Sequence, residues 1–217
     1  MCEKTEKIFA ALERNNITPI YAETAADAVK IVEDMLPAGA AIRTGGSVTL
    51  VESGIWELIN NPKYNFVDRN RQGITSQERE AVYQTTVGCD YYFCSVNALT
   101  ENGEIVNVDG NCNRISALAF GPKKVVLVVG KNKLVSNLEE AFIRVKKIAA
   151  PKNCVRLGLN NPCVKLGHCV SLLKTDAPQI TDGCNSKSRI CRNYLIGAPQ
   201  QDPERVMLIY VNQDLGY

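Results

Sequence analysis

Val125-Val126-Leu127-Val128-Val129 is a run of five aliphatic residues with no polar position in it. A strand that keeps one face in water alternates apolar and polar residues, so an unbroken run requires cover on both faces. That requirement points to a sheet packed between helices, and the rest of the chain supplies helical patterns. Thr5 to Asn15 sets Ile8, Ala11 and Leu12 on one helical face. Thr24-Ala25-Ala26-Asp27 has the form of a capping box with a short acid. Ala28, Val29, Val32, Met35 and Leu36 follow at helical spacing until Pro37 and Gly39 stop them. One helix is predicted from a Ser47 cap through Leu50, Val51, Ile55, Trp56, Leu58 and Ile59 to Asn60-Asn61-Pro62, and a polar one over Ser76 to Val87 with Ser76 as its cap. Asn113 to Phe120 and Asn137 to Ala150 complete the set. Between them lie strand patterns at Ala40 to Arg43, Phe66-Val67, Tyr91 to Val96, Tyr194 to Ile196 and Val206 to Val211.

Strands alternating with helices predict an α/β fold, a mainly parallel sheet flanked by helices. The chain has 217 residues, enough for one domain with a real core. Residues 1–217 are read as that single domain, with 160–192 as a cysteine-rich excursion before the last strand returns to the sheet. Lys plus Arg total 25 and Asp plus Glu 23, and the longest basic clusters are pairs, so no stretch can track a nucleic-acid backbone. No apolar run has the ~18 residues of a membrane helix. The charged start, Met1 to Lys7, has no apolar stretch behind it, so the expectation is a cytoplasmic protein without signal peptide or membrane association.

Two stretches carry candidate binding chemistry. Thr44-Gly45-Gly46-Ser47-Val48-Thr49 joins a predicted strand to a predicted helix. Glycines there let a ligand approach main-chain N–H groups, the following helix points its N-terminal donors into the turn, and Ser47 and Thr49 add hydroxyls. A phosphate or carboxylate fits such a turn, although an ordinary strand-to-helix turn with a serine cap has the same sequence. The second stretch is the predicted hairpin Asn97 to Asp109, turning at Glu101-Asn102-Gly103. It starts at a strand's C-terminal end, where open α/β sheets place their ligands. Asn97, Asn107, Asp109, Gly110, Asn111 and Arg114 are candidate ligand contacts from it, set against the simpler role of Asn and Asp in satisfying turns. Asp109, Glu104 and Glu52 are the nearby acids available for general acid–base work, Asp109 first among them. His168, the single histidine, lies far along the chain from the glycine turn, which argues against a Ser-His-Asp triad.

Nine cysteines cannot all pair internally. Five are scattered; Cys163, Cys169, Cys184 and Cys191 cluster with spacings C-x5-C and C-x6-C on either side of fourteen residues. Four thiolates suffice for zinc or for an iron–sulfur cluster, but neither standard spacing is met. Free thiols or a redox disulfide remain the other readings.

Gly45-Gly46-Ser47-Val48-Thr49-Leu50, Asn97-Ala98-Leu99-Thr100 through Asn107-Val108-Asp109-Gly110-Asn111, Phe120-Gly121-Pro122-Lys123-Lys124-Val125 and Asp214-Leu215-Gly216-Tyr217 together resemble the LUD-domain family of lactate-utilisation proteins, over nearly the whole chain. The resemblance implies the fold of the sugar-phosphate isomerases and CoA transferases (NagB/RpiA/CoA-transferase-like), with Gly45, Gly46, Ser47 and Asn97 lining a pocket. It implies a component of a small hydroxy-acid oxidation system that works with iron–sulfur partner proteins, and a homodimer by analogy with the superfamily. Two other functions stay open: an assembly or regulatory subunit without catalysis, and an isomerase or transferase acting on a phosphorylated or CoA-linked substrate. Related isomerases often carry an acid at the strand end where this chain has Asn97, which cannot serve as an acid or base. Some relatives carry a similar cysteine segment, against which Leu172 to Gly183 looks inserted.

Overall fold

The computed structural model describes residues 2–217. Among them the strands are, in chain order, β1 (Thr18–Ala22), β2 (Ala41–Thr44), β3 (Asn65–Phe66), β4 (Tyr91–Cys94), β5 (Ala98–Thr100), β6 (Ile105–Asp109), β7 (Lys124–Gly130), β8 (Leu134–Val135), β9 (Asn193–Gly197) and β10 (Val206–Val211). The helices are α1 (Glu3–Arg14), α2 (Ala25–Met35), α3 (Val48–Glu52), α4 (Ile55–Ile59), α5 (Ser76–Gln84), α6 (Asn113–Ala119), α7 (Leu138–Arg144), α8 (Ala150–Arg156) and α9 (Pro162–Leu166).

Six strands form a wholly parallel sheet in the order β1-β10-β7-β4-β2-β3. The aliphatic run is its centre. Val125, Leu127 and Val129 pack with Ile8 and Leu12 of α1, while Val126 and Val128 face Ala28 and Val32 of α2 and Leu50 and Ile55 on the other side. All five run residues are fully buried, each contributing about 1.5–3 kcal/mol by leaving water. The last strand, β10, threads between β1 and β7, with Leu208 opposite Leu127. The expected α/β architecture with a mainly parallel sheet is therefore present.

Several local expectations change. Tyr194 to Ile196 forms β9 but does not join the main sheet. It pairs antiparallel with β6 in a second sheet ordered β8-β5-β6-β9, Ile196 opposite Val106. β1 had no sequence signal: it is a short edge strand with Pro19 in it, where a missing N–H is tolerated. The helix after the glycine turn breaks into α3 and α4, because Gly54 takes the left-handed conformation between them (φ 78°). Thr75 rather than Ser76 caps α5, in a capping box with Glu78. The helix begun by the Asn137 cap does not end at Ala150. It passes through a π-helical stretch, Val145–Ala149, and continues as α8. Pro151 is accommodated there, in the first turn beyond the π stretch, where its missing donor costs little. No helix among the described residues is long and apolar enough to cross a membrane.

Candidate functional site

The neighbouring parallel strands β2, β4 and β7 end on the same side of the sheet, so the segments that follow them share one crevice. Gly46, Ser47 and Thr49 come from the turn after β2 and from α3; Ser95, Val96 and Asn97 follow β4; Lys133 lies in the 3-10 turn after β7. Asp109, Gly110 and Asn111 close the crevice from the end of β6. The result is a cavity of about 570 Å3, within the roughly 300–1,000 Å3 typical of small-molecule sites.

The structure brings together Gly46, Ser47, Thr49, Asn97, Asp109, Gly110, Asn111 and Arg114 of the predicted residues. Five others do not line the cavity. Thr44 is buried as the last residue of β2, and Gly45 is packed beneath the turn, its α-carbon facing the Tyr92 hydroxyl and the Cys94 side chain. Asn107 sits two residues below Asp109 on the same face of β6, wholly buried, with neither amide atom hydrogen-bonded. Glu104 is at the opposite end of β6, in the hairpin turn, paired with Thr100. Glu52 lies a turn beyond Thr49 on α3 and accepts from the Gly216 N–H.

The helix-terminus argument also shifts. Ser47 caps α3 by accepting from Leu50 N–H at 3.3 Å, but α3 has only five residues. So short a helix has little dipole, and the positive field comes from side chains instead. Arg69, Arg114, Lys133 and Arg156 line the cavity, joined by Lys187, Arg189 and Arg192 from the loop before β9; Asp109 is the one carboxylate among the lining residues. Gly46 lies against two of these cations: a Cβ there would stand 3.2 Å from Arg69 Nη2 and 3.5 Å from Arg156 Nη2.

Asp109 and Arg114 are committed to each other. Asp109 accepts from Arg114 Nη2 at 2.8 Å and Nε at 3.0 Å, and from the backbone N–H groups of Arg114 and Ile115 at the start of α6. Arg114 Nη2 also donates to Asn97 Oδ1 at 2.8 Å. This buried network fixes the hairpin against α6 and spends Asp109 on structure rather than leaving it free as a base. The other cations have no carboxylate partner among the described residues. Arg156 donates to Tyr217 Oη at 2.9 Å and to Asn153 Oδ1, which keeps its guanidinium at the cavity wall.

Lys133 is almost completely buried. Burial, with Arg144 and Arg114 nearby, pushes its amine down to about 7. Its Nζ donates to Thr49 Oγ1 and Ser95 Oγ. The residue lies three positions beyond the strongest strand, at the sheet end where ligands collect, and that position was the available signal for it. Arg69, Arg156, Tyr217 and the 187–192 cations arrive on loops and helix ends with no sequence pattern.

Cys163, Cys169, Cys184 and Cys191 border one small second cavity with Val145, Lys146, Ala150, Pro151 and Val170. The residues between the cysteine pairs do not keep them apart, because Lys146 Nζ donates to the carbonyls of Ile180 and Asp182 and holds that stretch in place. Among the described residues, however, no three His, Cys, Asp or Glu side chains close on a point that one metal ion could occupy. His168 does not border this cavity; its Nδ1 is bonded to the Cys169 carbonyl.

The family model described as the LUD domain matches residues 5–211. In fold, the chain is similar to a DUF162 family protein from Deinococcus radiodurans, with 13% identity, a TM-score of 0.51 and coverage of 96% of each chain. No curated protein matches the sequence.

Proposed function

Because the chain belongs to the LUD-domain family of lactate-utilisation proteins, we propose that it serves a small hydroxy-acid oxidation system by binding an anionic small molecule in the cavity around Gly46 and Ser47. One observation carries this reading: with Arg114 paired to Asp109, the single carboxylate of the lining, the cavity still faces Arg69, Arg156, Lys187, Arg189 and Arg192, besides the titratable amine of Lys133. The excess belongs to the cavity and not to the chain, whose net charge is only +2. Like charges facing one space repel one another, and a bound anion relieves that repulsion. The cavity's volume and charge favour a ligand with more than one negative charge over a bare monocarboxylate, which would fill a small part of it.

A second reading, an enzyme acting on a phosphorylated or CoA-linked substrate, is favoured by Lys133. An amine near 7 beside two hydroxyls is a candidate base at neutral pH.

Calorimetry with L-lactate, inorganic phosphate and coenzyme A tests the binding reading. At least one should bind one-to-one, weaken with added salt, and weaken tenfold or more in Arg156→Gln. Absence of binding by all three, or affinity unchanged in that variant, would overturn it. Turnover by the isolated protein would favour the enzyme, and turnover only with added iron–sulfur partner proteins the component.

A further inference from the structure

We propose that Cys163, Cys169, Cys184 and Cys191 hold an iron–sulfur cluster, and that the cluster anchors the loop forming one wall of the cationic cavity. This inference stands independently of the identity of the anion bound there.

Four observations meet at this place. The thiols come from three separate segments, yet all border the same cavity. Cys163 is on α9, Cys169 starts the 3-10 turn Val170–Leu173, and Cys184 and Cys191 flank the loop before β9. A lone zinc ion needs its sulfurs about 2.3 Å from one centre, whereas here no three donors close on one point. Thiols that ring a space without converging suit a ligand with width of its own, and a four-thiolate iron–sulfur cluster is such a ligand. The remaining lining is apolar, with Val145, Ala150, Pro151 and Val170 shielding the space from water.

The charge is also suitable. A cluster held by four thiolates is an anion, and Lys146 is a buried cation on its border, 3% exposed and without a carboxylate partner among the described residues. Lys146 lies in the π-helical stretch between α7 and α8. Such stretches re-aim side chains and occur often at functional sites. The Lys146 carbonyl also accepts from the Cys169 N–H at 2.9 Å, which ties the ligand segment to this helix.

The loop between Cys184 and Cys191 explains the second half of the proposal. Arg189 donates to the carbonyls of both cysteines, from Nη1 to Cys184 and from Nε to Cys191. The same loop presents Lys187, Ser188 and Ile190 to the anion cavity. Fixing the two thiols therefore fixes that wall. Each thiol loses its proton to solvent on ligation, and the iron and sulfide come from outside the chain.

The test is anaerobic reconstitution of the full chain with equal ferrous and ferric iron plus sulfide, followed by metal analysis, visible absorption and limited trypsin digestion. We expect stoichiometric iron and sulfide, sulfur-to-iron charge-transfer bands, and at least tenfold slower cleavage after Lys187, Arg189 and Arg192 in the loaded protein. Cys184→Ser and Cys191→Ser should each lose the bands, whereas Cys2→Ser, at an exposed thiol, should keep them. Circular dichroism confirms that each variant is folded. Folded wild-type protein that takes up no iron, or binds only zinc, would overturn the cluster, as would bands that survive both substitutions. Iron uptake with unchanged trypsin cleavage would overturn the anchoring.

Discussion

Lys133 Nζ stands 2.7 Å from Thr49 Oγ1 and 2.9 Å from Ser95 Oγ, and each hydroxyl already donates to a carbonyl, of Leu215 and Val128 respectively. Both hydroxyls can therefore only accept from the amine. A neutral Lys133 spends its two N–H groups on them and is left with its lone pair; a protonated one has a third N–H to offer. Its protonation state decides whether the cavity floor presents a base or a cation.

That state predicts two pH effects. Lys133 titrates at about 7 when folded against 10.5 ordinarily. Between those values the unfolded chain holds the proton and the folded chain does not, so this group makes stability rise with pH. The stability of wild type minus that of Lys133→Met should grow between pH 7 and pH 9, measured by urea unfolding; a constant difference would contradict the buried amine. A bound anion favours the protonated amine, so anion affinity should fall above about pH 7, by at most tenfold per pH unit. The Lys133→Met variant should lose that dependence in calorimetry.

Gly46→Val should abolish binding of the anion while leaving the fold intact. The added Cβ would enter the space before Arg69 and Arg156, 3.2 Å and 3.5 Å from their Nη2 atoms. Gly46 has no positive φ, so the backbone accepts a side chain there. Calorimetry should show at least a hundredfold loss with a melting temperature near that of wild type. Unchanged affinity would remove the glycine turn from the site.

Asp109→Ala should act on stability before it acts on function. The substitution leaves the Arg114 guanidinium, whose side chain is 12% exposed, without its counter-charge, and strips the α6 N-terminus of its acceptor. Breaking a buried pair from one side costs about 3–5 kcal/mol, which denaturant unfolding would register. A loss below about 1 kcal/mol would mean that the network is not what holds the hairpin, and would return Asp109 to the list of catalytic candidates.

Gly130→Ala tests the closing segment. A Cβ on Gly130, the last residue of β7, would lie 2.6 Å from the Leu215 backbone N and 2.8 Å from the Gln213 carbonyl. The 213–217 segment must then shift, carrying Tyr217 away from Arg156. The expected outcome is destabilisation of about 1–3 kcal/mol together with weaker anion binding. Loss of stability with affinity intact would show that Tyr217 does not position Arg156.

The cavity was half legible in the sequence. Gly46, Ser47, Asn97 and Asp109 follow from one rule, that ligands collect beyond the C-terminal ends of parallel strands. Glu104 and Asn107 came from the same stretch but do not line the cavity: Asn107 is buried below Asp109, and Glu104 is displaced along the strand. Each residue of a strand advances about 3.3 Å, so a hairpin that brings Asp109 to the cavity carries Glu104 to its far end. Asp109 is present but neutralised by Arg114, five residues on, a pairing that only the turn into α6 creates.

The sequence by itself determined the layers. An unbroken aliphatic strand cannot exist without cover on both faces, and the helices that cover it announce themselves by local spacing and caps such as Thr24 with Asp27. Those are short-range preferences, and they survive almost any tertiary arrangement. The tertiary structure alone decided which distant residues meet. It took β9 into the second sheet, set Arg156 and Tyr217 beside Gly46, and drew four cysteines from three segments to the border of one cavity around Lys146. No local pattern encodes such meetings, because they depend on how whole elements pack and on where loops without periodicity are allowed to cross.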